Sequence, residues 1–174
     1  MSVNLGTSTK HSVFTTYAWH LPPANALLGM YTTLYLETLG DFTAAQYWSS
    51  SEVDADNAYA RDFSDGSSDS IAKSTTCRVR PMRTFLAATG SYAVSDIGPG
   101  GGYVFSTKSM GDGTSIFYEA YPSDVSTGIA WSNIDDTAVT GTSSQYDDGL
   151  ANTLLIIAQG GHTTSAAEEC YDLN

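Results

Sequence analysis

The sequence predicts a mixed α+β fold made from one domain's worth of chain. Three observations predict it. The 174 residues are enough for one domain with a real core. Residues 22–39 place apolar side chains at helical spacing, whereas residues 46–85 switch to short aromatic or β-branched runs between Ser-, Asp- and Gly-rich turns. From residue 103 onward the order reverses, with strand-like runs first and helical runs last.

Taken in order, PPANALLGMYTTLYLETL (22–39) reads as a helix. Proline suits its first turn and Gly40 its stop. Leu27, Leu28, Tyr31, Leu34, Tyr35 and Leu39 recur at three- and four-residue spacing and give it one apolar face. QYWSSS, NAYARDF, SIAK and CRVRPMRTF read as strands of a small antiparallel sheet, with turns such as Ser64-Asp65-Gly66. LAATGSYAVSDIGPGGG (86–102) reads as a linker running into a Gly-Pro turn. YVFST, SIFYEAY and GIAW read as strands, and residues 132–149 as polar loop. LANTLLIIA is a short helix broken by Gly160-Gly161. Ser165 and Glu168 have the capping-box spacing and open a last helix, SAAEECYDL.

Composition limits the function. Nineteen acidic against seven basic residues give a formal net charge of -12. That excludes a nucleic-acid binder driven by phosphate contacts, and argues against an anionic-membrane surface. The charged fraction is 15%, well under the ~25% of an average domain. Ser and Thr fill about a quarter of the chain. Such a balance suits an exported or virion-surface protein better than a cytosolic enzyme. MSVNLGTSTKHSVF has no basic region followed by an apolar one, so no signal peptide is expected, and no run of 18 apolar residues is present to insert in a membrane.

No constellation for catalysis or a cofactor stands out. His11, His20 and His162 show no metal-ligand spacing, and His20 between Trp19 and Leu21 reads as a packed histidine. Gly100, Gly101 and Gly102 read as a turn leading into a strand, since no Gly-Lys-Ser/Thr follows them. Asp54, Asp56, Asp62, Asp65 and Asp69 read as solvated loop carboxylates rather than a calcium site. Arg78, Arg80 and Arg83 read as structural partners of carboxylates such as Glu52 or Asp62, with Arg78 and Arg80 on one face. Cys77 and Cys170 lie too far apart for a Cys-x-x-Cys pair. Two separate buried thiols and one long-range disulfide both remain open on spacing alone.

The segments GPGGGYVF (98–105), YEAYPSDVSTGIAWSN (118–133), GLANTLLII (149–157) and SAAEECYDL (165–173) resemble the first half of a bacterial domain family. That family is the Lcl C-terminal-like group, which has the C-type lectin fold. WHLPPANALLGMY (19–31), YWSSSE (47–52), FSDG (63–66) and VRPMRTF (79–85) resemble its second half. The second half comes first here, so the chain resembles a circular permutant: residues 1–85 as second half, 86–97 as linker, 98–174 as first half.

The resemblance implies a C-type-lectin-like α+β fold with two helices, a small antiparallel sheet and long loops. A linker of about ten residues reaches at most ~33–36 Å, enough to close the fold within one chain or to pass between two chains that exchange halves. It also implies a disulfide between Cys77 and Cys170, matching the fold's helix-to-last-strand bridge. The loops around YWSSSE would face a ligand, which makes Tyr47, Ser50, Glu52, Asp54, Asp56, Asn57 and Tyr59 the candidate contacts and leaves Trp48 in the core. The expected function is a non-enzymatic extracellular or virion-surface protein without cofactor or metal. It would assemble with itself, as a filament by exchange of half-domains. The alternative is a monomeric permuted module that binds a glycan or protein receptor.

Overall fold

A computed structural model describes residues 13–174. The described chain is mixed α+β, with two small sheets and three short α-helices. The nine strands are β1 (Val13–Thr16), β2 (Gln46–Glu52), β3 (Asn57–Asp62), β4 (Ser68–Ala72), β5 (Thr76–Val79), β6 (Met82–Ala88), β7 (Tyr103–Ser109), β8 (Thr114–Ala120) and β9 (Ser126–Ala130). The helices are α1 (Ala24–Met30), α2 (Gly149–Ile157) and α3 (Ala166–Tyr171). One sheet runs β1-β6-β8-β7 and the other β4-β3-β2-β5-β9. Every pairing is antiparallel except β2 with β5.

The expected helix over 22–39 is shorter. α1 begins after Pro23 and passes at Tyr31 into a π-helical turn that ends at Tyr35. Thr32 and Thr33 lie at that junction and donate their hydroxyls back to Leu28 O (3.0 Å) and Gly29 O (2.7 Å). Such back-bonding competes with the α ladder. The expected CRVRPMRTF strand is two strands. It breaks at Arg80-Pro81, because proline has no N–H to give a ladder. Ser165 does cap α3, accepting the N–H of Glu168 at 3.0 Å.

Both sheets are shared between the two ends of the chain. β6 pairs with β8 from Met82↔Ala120 to Ala88↔Thr114. β5 pairs with β9. β6 and β7 flank β8 and run parallel to each other, so residues 89–102 must cross back along the sheet. The expected linker is therefore a structural element. Residues 86–88 extend β6, and Tyr92 lies against Phe85 and Phe117, covering one face of the sheet with Ala87 and Val104.

A second cluster lies between α1 and the sheets, around Leu27, Met30, Tyr47, Phe63, Phe105 and Tyr118. A third packs α2 and α3 on the five-stranded sheet, around Trp48, Val79, Trp131, Ile156 and Cys170.

Candidate functional site

β2 is buried along both faces between Tyr47 and Ser51. This corrects the expectation that Tyr47 and Ser50 face a ligand: both are fully buried. A central strand with packing on either side can hold serines only where each hydroxyl finds a partner. Ser49 donates to Tyr59 O (2.7 Å), Ser51 donates to Ser143 O (2.8 Å), and Ser50 accepts from Asn152 Nδ2 (3.0 Å). The Tyr47 hydroxyl accepts the N–H of Thr43 and donates to Asp124 Oδ2 at 3.0 Å. Burial pushes that phenol up to about 12.

Glu52, Asp54, Asp56 and Asn57 do gather on the β2–β3 hairpin, but the Asp54 oxygen holds the hairpin and the Glu52 oxygens tie it to the rest of the protein. Glu52 takes the buried Lys73 Nζ at 2.5 Å and the Val139 N–H at 2.8 Å. Asp54 is exposed and accepts the N–H groups of Asp56 and Asn57 and the Asn57 side-chain amide. The amide hydrogen bond is the first cause that holds its carboxyl below the usual carboxylate value. Tyr59 is half-buried on β3. Among the described residues no three His, Cys, Asp or Glu side chains gather to hold a metal. His11 lies outside the described residues.

The strongest polar constellation lies where the two ends of the chain meet. Asp124, in the turn between β8 and β9, receives Arg78 Nη1 at 2.9 Å and Arg80 Nη2 at 2.7 Å. Arg78 and Arg80 thus share a face as alternation predicts, but their carboxylate is Asp124 and not Glu52 or Asp62. Arg80 is wholly buried, donates also to Gly40 O and Tyr121 O, and stacks over Phe42 at 3.9 Å. Arg83 pairs at 3.0 Å with Glu119, its neighbour directly across β6 and β8. Glu119 also accepts the N–H of Gly100 (2.8 Å) and of Gly102 (3.0 Å). Its burial raises the carboxyl despite Arg83.

The GPGGG turn is thereby explained. A Cβ at Gly102 would sit 1.7 Å from Ala120 O, and one at Gly98 would sit 2.5 Å from the Glu119 carboxyl carbon. Two indoles complete the junction. Trp48 Nε1 donates to Ile129 O at 2.9 Å, and Trp131 Nε1 donates to Ser49 O at 2.7 Å.

Cys77 and Cys170 lie in one apolar cluster, and α3 packs on β5, but the bridge expected between them is not formed. Both are buried free thiols. Burial pushes the Cys77 thiol up to about 12 and Cys170 well above its ordinary value, so both stay protonated.

The reading of residue types missed Asp124, Glu119 and Lys73. Glu119 left a signal, because it is the lone charge in the otherwise apolar SIFYEAY run. Asp124 and Lys73 left none, since each meets its partner only in the folded chain. No helix among the described residues is long and apolar enough to cross a membrane. No family model matches the chain, and neither a curated protein nor a solved structure matches it.

Proposed function

We propose that the protein is a non-enzymatic structural component, displayed outside the cell or on a virion surface, with the C-type-lectin-like fold in permuted order. It assembles with copies of itself by exchanging complementary halves. The observation that carries this reading is the division of the contacts. Residues 13–88 supply Arg78, Arg80 and Arg83, and residues 103–174 supply Asp124 and Glu119. The two indole bonds and the β5–β9 and β6–β8 pairings join the same two parts. Neither part completes its own sheets, and the buried Arg80 and Glu119 find their charge partners only across the division.

An exchanged globule keeps all of these contacts and reroutes residues 89–102, at the expense of the packing of Tyr92 on Phe85 and Phe117. Fourteen residues reach roughly 46–50 Å, whereas the return along β8 covers about 20 Å. The connection is therefore long enough to serve two neighbouring globules. Exchange that does not close on itself gives an open filament. The sparse charge and abundant Ser and Thr suit a displayed surface. Negative-stain microscopy of the isolated protein tests the reading. Rings or filaments of repeated globules are expected, and a field of uniform single globules at every concentration would overturn it.

A further inference from the structure

A cleft of about 420 Å³ opens between the four-stranded sheet and α2, with walls from both halves of the chain. Its walls include Thr84, Ile116, Tyr146 and Ala151, and its rim carries Tyr17 (48% exposed) and Leu154 (44% exposed). Pockets of this size take small ligands when a few polar groups converge in an apolar lining. The most buried of the polar groups here is His20, which lines the cleft and is 3% exposed; Tyr17, Thr84, Tyr146 and Asp147 also line it.

The imidazole is set as an acceptor. Nδ1 lies 2.8 Å from Ala18 O, and a carbonyl only accepts, so Nδ1 carries the proton. Nε2 therefore carries a lone pair, and it has no hydrogen-bond partner among the described residues. Burial lowers the ring's pKa to about 4, so the ring stays neutral at pH 7. Gly149, at the start of α2, lies beside this edge of the ring, and a Cβ there would come within 2.8 Å of Nε2. The carboxylate of the cleft, Asp147, is already occupied by Lys108 and by the Tyr118 hydroxyl. A buried ring nitrogen open to a donor, in a mostly apolar cleft with aromatic walls, suits a donor carried on an apolar ring.

We propose that this cleft binds a small molecule of the phenol class, its ring between Tyr17 and Leu154 and its O–H donating to His20 Nε2. The proposal does not rest on self-assembly, because a closed chain and an exchanged globule present the same lining.

The test compares 4-methylphenol with 4-methylanisole, which has the same ring but no donor, by calorimetry and by the ¹⁵N shift of His20 Nε2 in the full chain. One neutral hydrogen bond is worth roughly a five- to tenfold preference for the phenol. The phenol is expected to bind one per chain with that preference and to shift His20 Nε2. Ala151→Trp, which fills the cleft from an exposed position on α2, is expected to abolish binding with an unchanged far-ultraviolet spectrum. Equal affinity for the two probes, no heat from either, or undiminished binding in a folded Ala151→Trp would overturn the proposal. The two-probe comparison needs no variant, so it decides the matter even if Ala151→Trp does not fold.

Discussion

Trp48 and Trp131 each donate an indole N–H to the strand segment that carries the other: Trp48 to Ile129 O at 2.9 Å, Trp131 to Ser49 O at 2.7 Å. Both rings are fully buried in the same cluster. The two residues come from opposite ends of the chain, so this reciprocal pair is a lock between the halves.

Trp131→Phe keeps an aromatic ring but leaves the Ser49 carbonyl without its donor. The expected loss is about 1–3 kcal/mol from that group, with a further loss from the void. Trp48→Phe should cost a similar amount, through Ile129. Urea unfolding checks both, and a change under about 0.5 kcal/mol in either variant would show that the lock carries no weight.

Asp124→Ala should be more severe. It leaves the buried Arg80 and the partly buried Arg78 without a carboxylate, and removes the acceptor of the Tyr47 hydroxyl. Breaking a buried pair from one side typically costs about 3–5 kcal/mol. Denaturant midpoints compared with those of Asp136→Ala, at an exposed site, would reveal the difference.

Stability should fall with pH in a defined window. His20 has an unfolded value near 6.5 and a folded value of about 4, because burial disfavours the imidazolium. The unfolded chain therefore binds a proton first. The stabilising contribution is complete above pH 6.5 and is lost as the pH falls toward 4, by about 3 kcal/mol in all. Glu119 works in the opposite sense, since burial raises its folded carboxyl and favours the folded state as acid is added. His20→Phe isolates the histidine, and its stability should be flatter than wild type between pH 6.5 and 4. Parallel curves for the two proteins would refute the assignment.

Tyr92→Ala should loosen the crossover. Tyr92 contacts Phe85 and Phe117 edge-on, and its loss uncovers that face of the sheet. Removing a large buried aromatic costs about 3–5 kcal/mol in the closed chain. Exchange should rise relative to closure, which size-exclusion chromatography with light scattering would read as a larger multimer fraction. An unchanged fraction would mean that Tyr92 does not pin the connection.

Much of the element order was legible in the sequence, because strands β2–β4 and β7–β9 follow period-two runs bounded by Ser, Asp and Gly turns. The π-helical turn was not legible, since threonines that back-bond at 32 and 33 leave the apolar spacing of a helix intact. Tyr47 and Ser50 misled the reading of the site. The resemblance turned them toward a ligand, yet strands and loops on every side satisfy them, with Ser49 and Ser51, inside the core. The arginine run was legible as structural, but its partners lie some 40 residues away in the other half, where composition gives no hint. Residues 86–102 read as a linker because they run into a Gly- and Pro-rich turn, and only the parallel placement of β6 and β7 turns them into a packed crossover.

Native mass spectrometry of the full chain, isolated without reductant or denaturant and diluted through a concentration series, tests half-exchange most directly. The account predicts ions at integer multiples of 18.5 kDa that persist on dilution, because separating exchanged copies requires unfolding both globules. A single species at 18.5 kDa across the series would contradict it.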